Sequence, residues 1–558
     1  MIEHLKEVLG IDGILAMLLA QRRIRDFESA KVFFRPAFEH LHDPFLMKDM
    51  QRAVDRIGHA IRHRENIMVY GDYDVDGTTS VAMVYSFLKK IYANVDYYIP
   101  DRYTEGYGIS FKGIDVAVAG DFRLMISLDC GIKAVEKIKY ANTKGIDFIV
   151  CDHHYPGAEL PAAFAILNPK RADCNYPYKE LSGCGVGFKM LQAFAQKNGI
   201  AAEEVYAYID LVAVSIASDI VPMVGENRVL TALGVQKLNE NPSLGLKSIV
   251  KISGLEKSQR HVDDIVFKIG PRINAAGRMK SGKHAVELLV SDEERAARYT
   301  GVEIDRYNTD RRNIDSDITG QALRMLADDP KQEYRRTTVL FNPSWHKGVV
   351  GIVASRLIET HYRPTVVLTE SNGLATGSAR SVEGFDLYKA IDSCSDLLEN
   401  FGGHMYAAGL TMKKENVAAF SRRFEEVVAA IITDEQLVPN IEIDAEIDFT
   451  DIDAKFVRIL KQFQPFGPKN MSPVFLTRNV VDTGAAKIVG KYGEHLKLEL
   501  RQLCHPEIVF PAIGFQLSEH YPVTKSGAPF DVCFTVEENT FRGETKIQLQ
   551  VKQLRAAE

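Results

Sequence analysis

Ile67-Met68-Val69-Tyr70-Gly71-Asp72-Tyr73-Asp74-Val75-Asp76-Gly77-Thr78-Thr79-Ser80 joins an apolar run to an acid-rich segment. Four consecutive apolar residues read as a buried strand, and the polar segment after them places Asp72, Asp74 and Asp76 in a turn before a helix. The same order recurs twice downstream. Leu124 to Leu128 runs into Asp129-Cys130-Gly131, and Phe148-Ile149-Val150-Cys151 runs into Asp152-His153-His154. Two further apolar runs, Val95 to Ile99 and Phe164 to Leu167, are separated from these by helix-length segments, so the region predicts an α/β domain with a mainly parallel sheet. The carboxyl ends of such strands form the crevice where ligands bind. The three acidic turns are therefore expected to converge. A fourth acid, Asp219, ends an apolar helical run from Leu211 to Ile220, an expensive place for a carboxylate without a partner.

Working outward, residues 1–65 read as a helical segment with breaks at Pro36 and Pro44, and the α/β domain is assigned to 66–290. Ser291 followed by Glu294 predicts a capping box. The apolar positions after it, from Ile304 through Tyr307, Ile314, Ile318 and Ala322 to Met325, recur at helical spacing up to Pro330. Residues 291–330 are thus expected to form a connecting helix of roughly 50 to 60 Å at 1.5 Å per residue. A second α/β domain is assigned to 331–438, with strands at Thr338 to Phe341 and Thr365 to Leu368, a helix from about Val349 to His361, and a glycine-rich region to about Gly409. Residues 439–558 have the texture of an OB-like β-barrel. From Lys455 to Glu558 there are fourteen Lys and Arg against ten Asp and Glu, a balance of +4 in a chain that is −6 overall. That reversal points to a module facing a polyanion, and truncation after about Val438 is expected to leave both α/β domains whole.

The length of 558 residues fits several domains rather than one core. Seven widely spread cysteines without a C-x-x-C pair argue against a disulfide framework and a structural zinc site. The longest apolar stretch, Leu211 to Val224, is interrupted by Asp219 and is too short for a membrane span. Glu3, Glu7 and Asp12 ahead of the apolar run Gly13 to Ala20 are the wrong charges for a secretory signal, so a cytoplasmic protein without a membrane partner is expected.

Hard oxygen ligands with one or two imidazoles suit Mg²⁺ or Mn²⁺. Two such ions about 3.5 to 4 Å apart can clamp a phosphoryl group and generate a hydroxide nucleophile, so the clusters read as a centre for metal-assisted phosphoester hydrolysis. An isolated Asp after a strand is more often a helix cap, and a His pair is usually polar surface. Three coincident strand-end clusters plus Asp219 outweigh those readings. In the second domain, Gly348 and Gly351 follow Trp345-His346-Lys347 at a helix start that could receive a phosphate, although on these residues alone a simple capped helix with glycines for packing is the preferred reading. Trp345 is more often core than a stacking platform. Gly183 to Gly187, GCGVG, lacks the features of a nucleotide-binding loop and is rejected as one.

GDYDVDGTTS, SLDCG, CDHH and SIASDIVP, in this order and spacing, resemble the four motifs of the DHH phosphoesterase superfamily. GYG at 106–108, GPRINAAGR at 270–278, WHKGVVGIVASR at 345–356, SARS at 378–381 and GGHMYAAG at 402–409 narrow the resemblance to its bacterial exonucleases specific for single-stranded DNA. PFGPKNMSPVF at 465–475 lacks the second glycine usual in that family segment. The resemblance implies Asp74, Asp76, Asp129, His153 and Asp219 as ligands of two divalent cations, Mn²⁺ or Mg²⁺, with Asp129 bridging and Asp72 either a ligand or a support. It implies His154, beside Asp76 and Asp129, as a catalytic group near the scissile phosphate. Arg102, Arg272, Asn274, Arg278, Ser378, Arg380 and His404 are implied in substrate binding. The activity implied is 5′→3′ hydrolysis of single-stranded DNA to 5′-mononucleotides in repair and recombination, with a single-strand-binding protein and a helicase as candidate partners. A DHH-type phosphodiesterase for very short RNA or cyclic dinucleotides is the enzymatic alternative, and the extra helical and β modules weigh against it. A non-catalytic scaffold would be expected to have lost metal ligands, which stand intact here.

Overall fold

A computed structural model describes residues 1–541 and 544–557. Five strands, β1 (Asn66–Gly71), β2 (Val95–Tyr98), β3 (Phe122–Leu128), β4 (Asp147–Cys151) and β5 (Ala165–Leu167), form a wholly parallel sheet in the order β2-β1-β3-β4-β5. β1, β3, β4 and β5 are buried along most of their length, which is why they read as apolar runs, while the edge strand β2 exposes Asp96. The strand order reverses between β1 and β3, and that is where an open sheet of this kind presents its crevice. Register fixes the level of the acids. Leu128 pairs with Gly71 on one side and with Cys151 on the other, so Asp72, Asp129 and Asp152 leave the sheet side by side. The helix after β1 spans Val75–Ile91, with the Asp74 side chain accepting from the Gly77 amide as its N-cap. Asp76 therefore lies in the first helical turn, not in the turn before it.

A second five-stranded sheet holds β6 (Thr338–Phe341), β7 (Thr365–Ser371), β8 (Leu374–Arg380), β9 (Asn400–His404) and β10 (Ala407–Met412) in the order β6-β7-β8-β10-β9. β6 and β7 are parallel around the helix Val350–Thr360, and the other pairings are antiparallel. The glycine-rich region is thus three strands. The helix Glu294–Ala327 runs 34 residues, and its later turns, at Ile318, Ala322 and Leu326, share a core with Trp345, Val349 and Val353. Its N-cap is Glu293 without a side-chain cap. Ser291 instead donates to the Glu293 carbonyl in the link from the helix Lys283–Leu289, so the expected capping box does not form.

The C-terminal strands are β11 (Ala445–Glu446), β12 (Phe475–Asp482), β13 (Lys487–Val489), β14 (His495–Gln502), β15 (His505–Gly514), β16 (Phe530–Phe541) and β17 (Glu544–Ala556). An added β12–β14 pairing closes them into an OB-like barrel. Its core takes in Leu15, Leu18, Leu19 and Phe33 from the helices Gly13–Gln21 and Phe27–Phe34. The amino-terminal helices and the barrel are one hydrophobic body, a partnership that no local sequence pattern announced. By contacts the chain divides into two units, Met1–Pro100 with Tyr107–Gly270 and Glu442–Glu558, and Asp101–Gly106 with Pro271–Ile441. Among the described residues no helix is long and apolar enough to cross a membrane.

Candidate metal centre

In the first unit His153 stands at the middle of the acids. Its Nε2 lies 3.2 Å from Asp129 Oδ1, 3.5 Å from Asp219 Oδ2 and 3.8 Å from Asp76 Oδ2. Neither ring nitrogen of His153, nor Asp129 Oδ1, has a hydrogen-bond partner among the described residues, although all are buried. Buried polar atoms without partners are costly, and here they face one another. That is the arrangement a divalent cation would satisfy, with hard carboxylate oxygens and a neutral imidazole as donors. Ligand atoms of Asp76, His153 and Asp219 lie within 4.8 Å of one another, as do those of Asp129, His153 and His154.

The charges are tuned accordingly. Burial, reinforced by the carboxylates of Asp76 and Asp74, holds both Asp129 and Asp219 well above the usual carboxylate range. Burial pushes His153 down to about 4, leaving its imidazole neutral and able to donate a lone pair. Asp219 sits at the C-cap of the helix Ile209–Ser218, the negative end of the helix dipole, which adds to the cost of its charge.

Asp76 is anchored on both oxygens. Gly183 and Cys184 donate their amides to it at 2.7 and 2.8 Å, and the Ser215 hydroxyl donates at 2.7 Å. GCGVG is therefore the start of the helix Gly183–Asn198, and its N-terminus binds a carboxylate of the protein itself. A Cβ at Gly183 would stand 2.6 Å from Asp129 Cβ, so only glycine allows that helix so close. Asp74 caps its helix through the Gly77 amide, and Asp72 accepts from the Gly108 amide at 3.2 Å.

Sequence reasoning missed two contributors. Asp152 accepts from the backbone of Ile132, His153 and His154 and binds His154 Nδ1 at 2.7 Å. Burial lowers the His154 pKa, but the Asp152 hydrogen bond and the charges of Asp152, Asp76 and Asp74 together outweigh it and the net shift is upward. Tyr107 donates to the Asp129 carbonyl at 3.0 Å and lies 3.4 Å from His154 Nε2. The DHH and GYG triplets held both residues, yet neither their long-range partners nor their roles could be read from local spacing. Beside Asp219, a groove of about 870 Å³ opens between Ile220, Met223, Phe267, the turn before β12, and β16 and β17.

In the second unit Arg102, Arg272, Asn274, Arg278, Ser378, Arg380 and His404 are distributed as follows. Arg272 binds Asp305 at 2.9 Å, and Arg278 donates to the Gly348 carbonyl at 2.9 Å while the Tyr103 hydroxyl bonds its own carbonyl. Asn274 lies on the same helix, Gly270–Met279, with its buried Oδ1 lacking a partner among the described residues. Arg380 donates to Ser378 at 2.6 Å, and a Cβ at Gly351 would touch both. Ala407 pairs with Arg380 on one side and His404 on the other, placing the two in one row across the sheet. Lys347 is pushed down by burial and by Arg102, so cationic groups cluster around that helix start. Trp345 is buried and donates to Gln321, a core role.

The model of the DHH family, N-terminal domain, matches residues 66–216, that of the DHHA1 domain 336–430, and that of the RecJ OB domain 443–553. The single-stranded-DNA-specific exonuclease RecJ of Bacillus subtilis (strain 168) is 36% identical over 559 residues, covering 100% of this chain and 70% of that protein. Its counterpart in Escherichia coli (strain K12) is 30% identical over 524 residues, 90% of this chain and 89% of that one. The crystal structure of RecJ from Thermus thermophilus in complex with Mn²⁺ matches with a TM-score of 0.84 at 26% identity, covering 100% of this chain and 78% of that one. The Mg²⁺ complex from the same organism gives 0.78 at 25% identity, covering 100% and 77%.

Proposed function

The chain belongs to the RecJ family of single-stranded-DNA-specific exonucleases, and from that premise we propose that it cuts single-stranded DNA from the 5′ end into 5′-mononucleotides. Two divalent cations, Mn²⁺ or Mg²⁺, are held by Asp74, Asp76, Asp129, His153 and Asp219. The observation that carries this reading is the set of partnerless buried donor atoms around His153. When bound, the cations supply positive charge to the phosphoryl oxygens and make water a nucleophile at neutral pH.

The protein groups divide the remaining work. Asp129 and Asp219 release protons as ligands, their raised pKa values making cation binding dependent on pH. Asp76 stays fixed in its cradle of two amides and a hydroxyl. His154, oriented through Nδ1 by Asp152 and kept protonated towards higher pH by it, delivers a proton from Nε2 to the leaving 3′ oxygen. Water adds to phosphorus, the P–O3′ bond of the terminal nucleotide breaks, and the remaining strand keeps a 5′ phosphate. Arg102, Arg272 and Arg278, with Asn274, Ser378, Arg380 and His404, contact substrate phosphates, guanidinium forks being suited to that task.

The groove beside Asp219 has the volume of a nucleotide site and leads to the barrel strands β16 and β17, and the balance of +4 over residues 455–558 suits a phosphate backbone. A helicase and a single-strand-binding protein are the partners this activity calls for, one freeing the end and the other keeping it unpaired, and we place the reaction in the cytoplasm. The test compares single-stranded DNA, blunt duplex, short RNA and cyclic dinucleotides in Mn²⁺ and Mg²⁺, with products identified by mass. Preference for single-stranded DNA with 5′-mononucleotide products is expected, and preference for cyclic dinucleotides would overturn the reading.

A further inference from the structure

Asp219 is the C-cap of its helix, and the backbone turns at once through Ile220 at φ +57°, a left-handed conformation that a β-branched residue adopts only when its surroundings impose it. Part of that imposition comes from outside the catalytic domain. Pro222 O accepts from Tyr178 at 3.1 Å and from Asn227 at 3.0 Å, while the Met223 amide donates to Pro468 O at 2.7 Å. Pro468 belongs to the turn that leads into the barrel. Gly467 and Asn470 close that turn with two backbone hydrogen bonds, and the Asn470 side chain donates through Nδ2 to Phe463 O and Pro465 O.

Arg228, in the first turn of the helix Gly225–Glu240, grips the same turn. Among the described residues its buried guanidinium meets no carboxylate. It donates to the carbonyls of Phe33, Gln462, Phe463, Gln464 and Pro465 and lies 3.7 Å from the centre of the Phe33 ring. Burial lowers its pKa to about 9. A cation taken out of water against carbonyls alone is a costly fastener, and it is placed where three stretches of chain meet beside the segment that carries Asp219.

We propose that the turn Phe463–Met471, clamped by Arg228, is a positioning device for the Asp219 ligand, so that the barrel holds the metal centre in shape as well as adjoining it. This rests on the reading of Asp219 as a metal ligand. The variant that separates positioning from simple fastening is Gly467→Ala. A Cβ there would stand 3.0 Å from Met223 Cβ and 3.1 Å from its Cε, so Met223 must give by a few tenths of an ångström while the polar contacts of the turn remain.

The experiment titrates Mn²⁺ into the full chain without substrate, following free Mn²⁺ by electron paramagnetic resonance, with thermal unfolding as a companion. Losing support around a ligand typically costs 10- to 100-fold in metal affinity, so Gly467→Ala should weaken Mn²⁺ binding about tenfold. It should still unfold cooperatively without metal, within a few degrees of the wild type, because the buried Met223 has to shift by only a few tenths of an ångström. Wild-type Mn²⁺ affinity in Gly467→Ala would overturn the proposal. Asp219→Asn is the reference. If it binds Mn²⁺ like the wild type, the assignment of the ligand itself fails; if it weakens binding and Gly467→Ala does not, only the positioning role fails.

Discussion

Replacing Asp219 by Asn should make the metal-free protein more stable while destroying its activity. The ligand oxygens offered by Asp219 and Asp76 lie within 4.8 Å of each other. With both ionised, charges at that separation repel by about 3.5 kcal/mol at an effective dielectric near 20. The C-terminal end of the helix dipole adds about 0.3 to 1 kcal/mol. Asp219 is 28% exposed, so solvent screens part of this, and partial protonation relieves more. A net gain of about 1 to 2 kcal/mol is the expectation, which for a catalytic domain of this size is roughly 2 to 8 °C. The sign follows from linkage. A carboxylate whose folded pKa is raised costs nothing below its unfolded value of about 3.9, and the cost grows with pH until the folded pKa is passed, so the gain should appear at neutral pH and vanish in acid. With Mn²⁺ at about a hundred times Kd the wild type should gain about 2.7 kcal/mol, and the variant far less. Its kcat should fall by about 10³ or more, several kcal/mol of transition-state stabilisation being lost. Scanning calorimetry with and without Mn²⁺ at two pH values reads all but the last. A variant less stable than the wild type without metal, or equally stabilised by Mn²⁺, would refute the reasoning.

Raising the pH from about 6 to 8 should tighten Mn²⁺ binding and release protons, because Asp129 and Asp219 carry raised pKa values and must ionise to act as ligands; calorimetric titration in buffers of different ionisation enthalpy measures both. Asp152→Asn should lower kcat about 10²-fold and move the alkaline limb of the pH–rate profile to lower pH, since His154 loses the partner that raises its pKa. Arg272→Ala should raise KM for 5′-phosphorylated single strands about 10- to 100-fold, the worth of a charge-assisted hydrogen bond, and Lys should restore little of it; initial rates over a range of strand concentrations decide.

The sheet around the centre was legible because β1, β3 and β4 are buried on both faces and so wrote themselves as Ile67 to Tyr70, Leu124 to Leu128 and Phe148 to Cys151. The acids were legible for the opposite reason: Asp72, Asp129 and Asp152 break those runs at one level, and Asp219 breaks a helix. What holds them was not. The amides of Gly183 and Cys184 reach Asp76 across more than a hundred residues, and GCGVG looks locally like a packing motif. The glycine-rich region to Gly409 concealed strands because its small residues carry little β-propensity. The amino-terminal helices have apolar faces that name no partner, and the structure gives them the barrel. That pairing changes the expectation for truncation after Val438. Removing the barrel would uncover Leu15, Leu18, Leu19 and Phe33 and leave Arg228 without its carbonyls, so the barrel is no detachable module.

The most direct measurement of the central claim is anomalous diffraction from crystals of the full chain soaked in Mn²⁺. The account predicts two Mn²⁺ peaks about 3.5 to 4 Å apart, bounded by Asp74, Asp76, Asp129, His153 and Asp219, with Asp129 touching both and one peak lost in Asp219→Asn. Absence of Mn²⁺ from these side chains, or one ion bound without His153 and Asp219, would contradict it.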